Sequence, residues 1–133
     1  MRWWNHRKGK YLSSTIIRML IACGGGGDMV FGKEVRISRL LEKGRMLCIP
    51  LDHGTSIGPV KGLENISALI TELEEAGVTA VLAHKGVFRA LKRPVKVGTI
   101  MHMSASTQLS TKVNHKVRVA SVEEAVRLGV DGV

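Results

Sequence analysis

An α/β fold of parallel strands is predicted for this 133-residue chain by three observations. Short continuous apolar runs, such as Met46-Leu47-Cys48-Ile49-Pro50-Leu51, alternate with stretches whose apolar residues recur at helical spacing. The segments Ala76-Gly77-Val78-Thr79-Ala80-Val81 and Leu128-Gly129-Val130-Asp131-Gly132-Val133 are alike, each a helix exit leading into a strand, so a β-then-α unit repeats. Polar residues gather where each apolar run stops: Asp52 to Ser56, His84-Lys85, and His102 with Ser104. Such alternation implies parallel strands joined by right-handed crossovers. A complete (β/α)8 TIM barrel takes about 250 residues. Three strands, with a fourth beginning near Val130, therefore predict its N-terminal half, and the chain is expected to be a fragment. An open doubly wound sheet is the alternative.

The elements follow in order. Val35, Ile37, Leu40 and Leu41 predict a short amphipathic helix stopped by Gly44. The first buried strand covers 46–51, and Ser56 to Gly62, with Gly58, Pro59 and Gly62, reads as a loop. Leu63, Ile66, Leu69, Ile70, Leu73 and Ala76 line one face of a helix ended by Gly77, with Glu72, Glu74 and Glu75 on the other face. Val78 to His84 and Val97 to Met103 are the next strands, separated by a short helix at Val87 to Lys92 that stops before Pro94. A polar loop with a short strand at Val117 to Ala120 precedes the last helix. Ser121 and Glu124 there have capping-box spacing, Val122, Ala125 and Val126 form the apolar stripe, and Gly129 is the stop.

Composition divides the chain at about Met29. The net charge of +9 splits into +4 for residues 1–28 and +5 for the rest. The first stretch holds Trp3, Trp4, Tyr11 and the run Gly24–Gly27. It is expected to be a doubtful leader, either disordered or upstream of a natural start at Met29, since Gly-Gly-Asp before Met is what a purine-rich ribosome-binding site gives when translated. A secretory signal is a rival reading, weakened because Arg18 interrupts the apolar region. A basic aromatic arm for nucleic acid or anionic lipid is another. Residues 29–133 form the barrel half. No run of eighteen apolar residues occurs, which argues against a membrane span. Two cysteines cannot make a disulfide framework, so a reducing, cytoplasmic setting is expected.

Sites in parallel α/β folds are built at the C-terminal strand ends. Asp52 is the foremost candidate, a carboxylate placed straight after an apolar strand for proton transfer. Its plainer reading is a cap on the amides of Thr55 or Ser56. His53 either orients substrate oxygens, acts as acid or base, or is structural. Lys85 is a candidate Schiff-base amine, an anion contact or a solvent lysine. His53, His84 and His102, one per strand end, invite a metal reading, although no metal-ligand spacing supports it and strand parity need not aim all three inward. The hydroxyls of Ser104 to Thr107 suit an oxyanion or a sugar hydroxyl. Gly24–Gly27 lacks the strand and spacing of a dinucleotide site.

These residues also carry a resemblance. Gly32-Lys33-Glu34-Val35-Arg36-Ile37-Ser38-Arg39-Leu40, Ile49-Pro50-Leu51-Asp52-His53-Gly54 and Gly58-Pro59-Val60-Lys61-Gly62-Leu63 resemble the start of the archaeal-type class I aldolase family. Ala80 to Gly86, Ile100 to Thr107 and Val122 to Gly129 look like its next segments, so the likeness covers about residues 32–133. Within the family the closer likeness is to the 2-amino-3,7-dideoxy-D-threo-hept-6-ulosonate synthase branch, with the fructose-bisphosphate aldolases as the runner-up. The resemblance implies a TIM barrel and Schiff-base chemistry without metal or cofactor. It implies a phosphorylated keto sugar and L-aspartate semialdehyde as substrates, in a route to 3-dehydroquinate and aromatic amino acids. Asp52 is then the proton acceptor, and Asp52, His53, Gly54, Thr55 and Ser56 contact substrate; Lys85, His102 and Ser104 are secondary candidates by their strand-end positions alone. The family's imine-forming lysine and tyrosine proton donor lie on later strands, so this chain is expected to be inactive alone. A homo-oligomer is implied for the full-length enzyme, with neither nucleic acid nor membrane as partner. A non-catalytic basic binding module is the reading from another class.

Overall fold

The computed structural model describes Ile17–Met19 and residues 31–133; the rest of the expected leader lies outside the described residues. The element order is β1 (Ile17–Met19), α1 (Phe31–Leu40), β2 (Met46–Pro50), α2 (His53–Ile57), α3 (Ile66–Glu75), β3 (Ala80–Ala83), α4 (Lys85–Ala90), β4 (Gly98–Met101), β5 (Ser104–Ala105), β6 (Val117–Arg118) and α5 (Val122–Leu128). β2, β3 and β4 are parallel neighbours in that order, and β1 joins β2 from the other side, antiparallel. The predicted fourth strand begins where expected: Gly132 bridges Ile100 in parallel, and Met101 N–H donates to the Gly132 carbonyl at 2.9 Å. Among the described residues no helix is long and apolar enough to cross a membrane.

Side chains alternate across a strand, and here the alternation is uniform because the registers match. Cys48 pairs with Ala80 and Ala80 with Gly98; Pro50 pairs with Leu82 and Leu82 with Ile100. Odd-numbered residues Leu47, Ile49, Leu51, Val81 and Ala83 face the helical layer, which supplies Ile66, Leu69, Ile70 and Leu73 of α3 and Val87 and Phe88 of α4. Even-numbered Met46, Cys48, Ala80, Leu82 and Ile100 pack on the opposite face with Leu40 and Leu41 at the end of α1. That face corresponds to the inside of a barrel, and α1 closes its lower end. The approach is tight at Gly98, where a Cβ would lie 2.7 Å from the Arg39 carbonyl oxygen and from the Leu40 side chain.

Several boundaries differ from expectation for physical reasons. α1 ends at Leu40, and Gly44 (φ 72°) lies instead in a reverse turn closed by reciprocal Glu42 and Arg45 backbone bonds of 2.9 and 3.0 Å. α3 starts at Ile66 because the Asn65 side chain accepts from the Ala68 N–H at 3.2 Å, leaving Leu63 packed but outside the helix. Ser56 and Ile57 close α2 and do not begin a loop. The capping box of Ser121 and Glu124 forms, and Gly129 is left-handed at φ 69°. The predicted stripe of α5 is corrected: Ala125 is buried, but Val122 and Val126 are exposed, and Leu128 supplies the other contact to the Met101 and Ala120 cluster.

Candidate active site

The C-terminal strand ends carry one row of polar side chains. Two residues beyond the level where Pro50, Leu82 and Ile100 stand side by side come Asp52, His84 and His102. All three share the even-numbered parity of the barrel face. Backbone ladder bonds hold the row in place: Leu51 N–H donates to Leu82 O at 2.7 Å, and His102 N–H to Ala83 O at 2.9 Å. A site built on rigid strand ends rather than on free loops keeps its geometry without an ordering cost at each turnover.

Asp52 Oδ2 lies 2.5 Å from His102 Nδ1, and His102 Nε2 lies 3.3 Å from Ser104 Oγ. With the carboxylate ionised, the network assigns the proton to Nδ1, which donates to Asp52, while Nε2 accepts from the Ser104 hydroxyl. His84 Nδ1 stands 3.0 Å from the His102 carbonyl oxygen and donates to it. The His84 and His102 rings stack with centroids 5.0 Å apart and planes 8° from parallel. Asp52 is the N-cap residue of α2, yet its side chain makes no capping bond, so the plainer cap reading is not what the structure has. The carboxylate is committed to the imidazole. Its charge also reaches Cys48 on the same face, whose thiol is pushed up first by burial and then by Asp52.

The remaining candidates divide. His53 Nδ1 is 4.0 Å from Asp52 Oδ1, at the edge of the group and 40% exposed. Gly54 and Thr55 are exposed on α2, and the Ser56 carbonyl accepts from Gln108 N–H at 2.9 Å, which ties α2 to the loop between β5 and β6. Lys85 has odd parity and turns away from the row. Its Nζ donates to Glu124 Oε1 at 3.0 Å and Oε2 at 3.2 Å, and Arg89 joins the same carboxylate at 3.1 Å. The Lys85 hydrogen bond, with the Ser121 N–H and the nearby cations, holds the Glu124 carboxyl below its ordinary range. Lys85 therefore joins α4 to α5. The histidine trio of the metal reading is also corrected: His53 is out of register, and Asp52 stands in the row with His84 and His102. Sequence reasoning missed the Asp52–His102 contact, and the signal that finds it is parity counted from the strand register. A separate cleft of about 740 Å³ lies at the start of β4, between Arg39, Phe88, Lys92, Val97, Leu128 and Asp131.

Comparison with known proteins places the chain in a family. Residues 46–133 match the DeoC/LacD family aldolase. The chain belongs to that family. A 2-amino-3,7-dideoxy-D-threo-hept-6-ulosonate synthase of Archaeoglobus fulgidus is 39% identical over 106 residues, covering 78% of this chain and 40% of the relative. One from Halobacterium salinarum is 40% identical over 103 residues, covering 77% and 39%. A 2-amino-4,5-dihydroxy-6-oxo-7-(phosphonooxy)heptanoate synthase of Streptomyces griseus is 34% identical over 107 residues, covering 77% and 39%. The chain thus spans about 40% of the length of the curated relatives it matches. The crystal structure of an archaeal fructose 1,6-bisphosphate aldolase shares the fold, with TM-score 0.64 at 23% identity over 74% of this chain and 41% of that one. The parallel α/β architecture, part of a barrel-type fold, is therefore as the strand pattern predicted.

Proposed function

We propose that Asp52 is the proton acceptor of a Schiff-base aldol or transaldol reaction, and that His102 and Ser104 hold it for that task. The observation that carries the reading is the Asp52–His102–Ser104 chain at the barrel-side strand ends, which fixes Oδ2 and leaves Oδ1 for a substrate hydroxyl. In such a reaction a lysine imine withdraws electrons from the bond that breaks. As that carbon–carbon bond opens, the hydroxyl proton of the departing aldehyde passes to the carboxylate. The resulting enamine attacks an incoming aldehyde, and the carboxylate returns the proton to the new alkoxide. We assign the imine lysine and the tyrosine donor to the portion of the relatives that this chain does not cover.

The products named for the relatives suggest the substrates. A 2-amino-4,5-dihydroxy-6-oxo-heptanoate with a 7-phosphonooxy group is a β-hydroxy ketone across carbons 4 and 5. Breaking that bond leaves a four-carbon amino aldehyde and a three-carbon keto phosphate. L-Aspartate semialdehyde has the first composition, and a phosphorylated keto sugar can donate the second or, for the 3,7-dideoxy product, its deoxy analogue, a three-carbon hydroxy methyl ketone unit. We therefore favour the heptulosonate synthase reaction over fructose-bisphosphate cleavage, in the cytoplasm, where a free buried Cys48 is at home. The test joins this full chain to the part of the A. fulgidus synthase that it does not cover. Formation of the amino heptulosonate that depends on aspartate semialdehyde supports the reading, and fructose-bisphosphate cleavage without it rejects the reading. The chain by itself should give no borohydride-trapped adduct with a keto-sugar phosphate; a stoichiometric adduct at Lys85 would overturn the assignment of the lysine.

A further inference from the structure

We propose that Asp52, His84 and His102 form a binding site for one divalent transition-metal ion of borderline softness, with Zn2+ and Co2+ as its probes. One ligand atom from each residue lies within 4.8 Å of the other two, and all three residues are part-buried. Two imidazoles and one carboxylate on the same strand-end row make a donor set that suits Zn2+, Co2+ or Ni2+ and not Mg2+ or Ca2+.

The second set of contacts already has the form that metal-binding histidines use. Such a histidine donates its other ring N–H to a carbonyl or carboxylate, which fixes the tautomer and aims the free lone pair. His84 does this through Nδ1 to the His102 carbonyl at 3.0 Å, leaving Nε2 as its ligand atom. His102 needs a single change of tautomer. With the ion on Nδ1, the proton sits on Nε2 and points to Ser104 Oγ, 3.3 Å away. Ligand atoms about 2.0–2.1 Å from Zn2+ stand about 3.3 Å apart in a tetrahedron. For an ion to bind, the Asp52–His102 contact of 2.5 Å must open, the widest separation must close, and the stacked His84 and His102 rings, 8° from parallel, must turn so that their lone pairs converge. These three residues supply three ligands and leave the fourth position to water. No cation competes from Lys85, which is held by Glu124.

The ion has no part in imine chemistry. By binding Asp52 it removes the carboxylate from proton transfer, so occupancy is inhibitory to an aldolase that uses Asp52 in that way. The site itself does not depend on that reading, and binding is measured without any activity.

Co2+ titration of the full 133-residue chain provides the test. One equivalent should give visible d–d absorption without a near-ultraviolet thiolate band, be displaced by Zn2+, and persist in millimolar Mg2+. His84→Gln and Asp52→Asn should each weaken binding by about tenfold or more, and His115→Gln should leave it unchanged, with circular dichroism reporting the fold of each. In the unmodified chain, bound Co2+ should shift the His84 and His102 ring resonances most. Absence of saturable binding, a thiolate band, or paramagnetic shifts centred elsewhere would overturn the proposal.

Discussion

Lys85 and His84 are adjacent in sequence, yet their side chains go to opposite sides of the sheet. Parity decides this: His84 continues the Ala80, Leu82 series into the site, while Lys85 opens α4 and meets Glu124. The same rule puts Asp52 in the row and His53 at its edge. Lys85 is thereby a partner of Glu124 and of the capping box at Ser121, and its replacement has a measurable signature. In Lys85→Met the Glu124 carboxyl should titrate at higher pH than in the parent chain, because the bond that most lowers it is gone. Carboxyl-resolved NMR titration checks this, and an unchanged Glu124 would show the pairing to be absent in solution.

α1 meets the lower end of the strands closely at Gly98. Gly98 lets the Arg39 carbonyl and Leu40 approach to distances no Cβ tolerates, and the neighbouring Asp131 carboxylate joins three pieces at once. It accepts from Thr99 N–H at 2.9 Å and Thr99 Oγ1 at 3.0 Å, and pairs with Arg39 at 3.3 Å. Gly98→Ala should therefore cost about 1–3 kcal/mol by forcing α1 away from the sheet. Urea unfolding measures it, and a neutral result would mean that α1 does not seat against β4. Helix and strand positions were largely legible in the sequence because their signals are long: three apolar runs, and the 63–76 period, most of which reappears in the core. Short or compensated features were not. β5 is two residues long, too brief for any periodicity, although β6 at Val117–Arg118 falls inside the expected strand, and Val122 and Val126 of α5 have the spacing of a buried stripe but stand exposed. Asp52, His102 and Ser104 were each legible as strand-end residues, whereas their contact needed the register of three strands, which composition does not encode.

Across the whole molecule, carboxylates tie segments together and make stability sensitive to acid. Burial would raise the Glu74 carboxyl, but the Lys96 N–H and Arg93 bound to it win and hold it below its ordinary range. Glu124 is likewise lowered, first by Lys85. A carboxyl lowered on folding binds protons more readily in the unfolded chain, so its contribution is present above the unfolded value of about 4.3 and is lost as pH falls through the folded value. The stability difference between the parent and Glu74→Gln should thus be constant from about pH 7 to about 5 and shrink below about 4.5; a difference that grows with acid would contradict this. At the same scale the proposed function rests on the inward row that brings Asp52 to His102 beside His84. The most direct test is the rate of the chain joined to the uncovered part of the A. fulgidus synthase, with and without Asp52→Asn. Loss of the proton acceptor should lower kcat by about 10²–10⁴-fold while borohydride still traps the substrate imine. An Asp52→Asn enzyme that turns over at the parent rate would contradict the role given to Asp52.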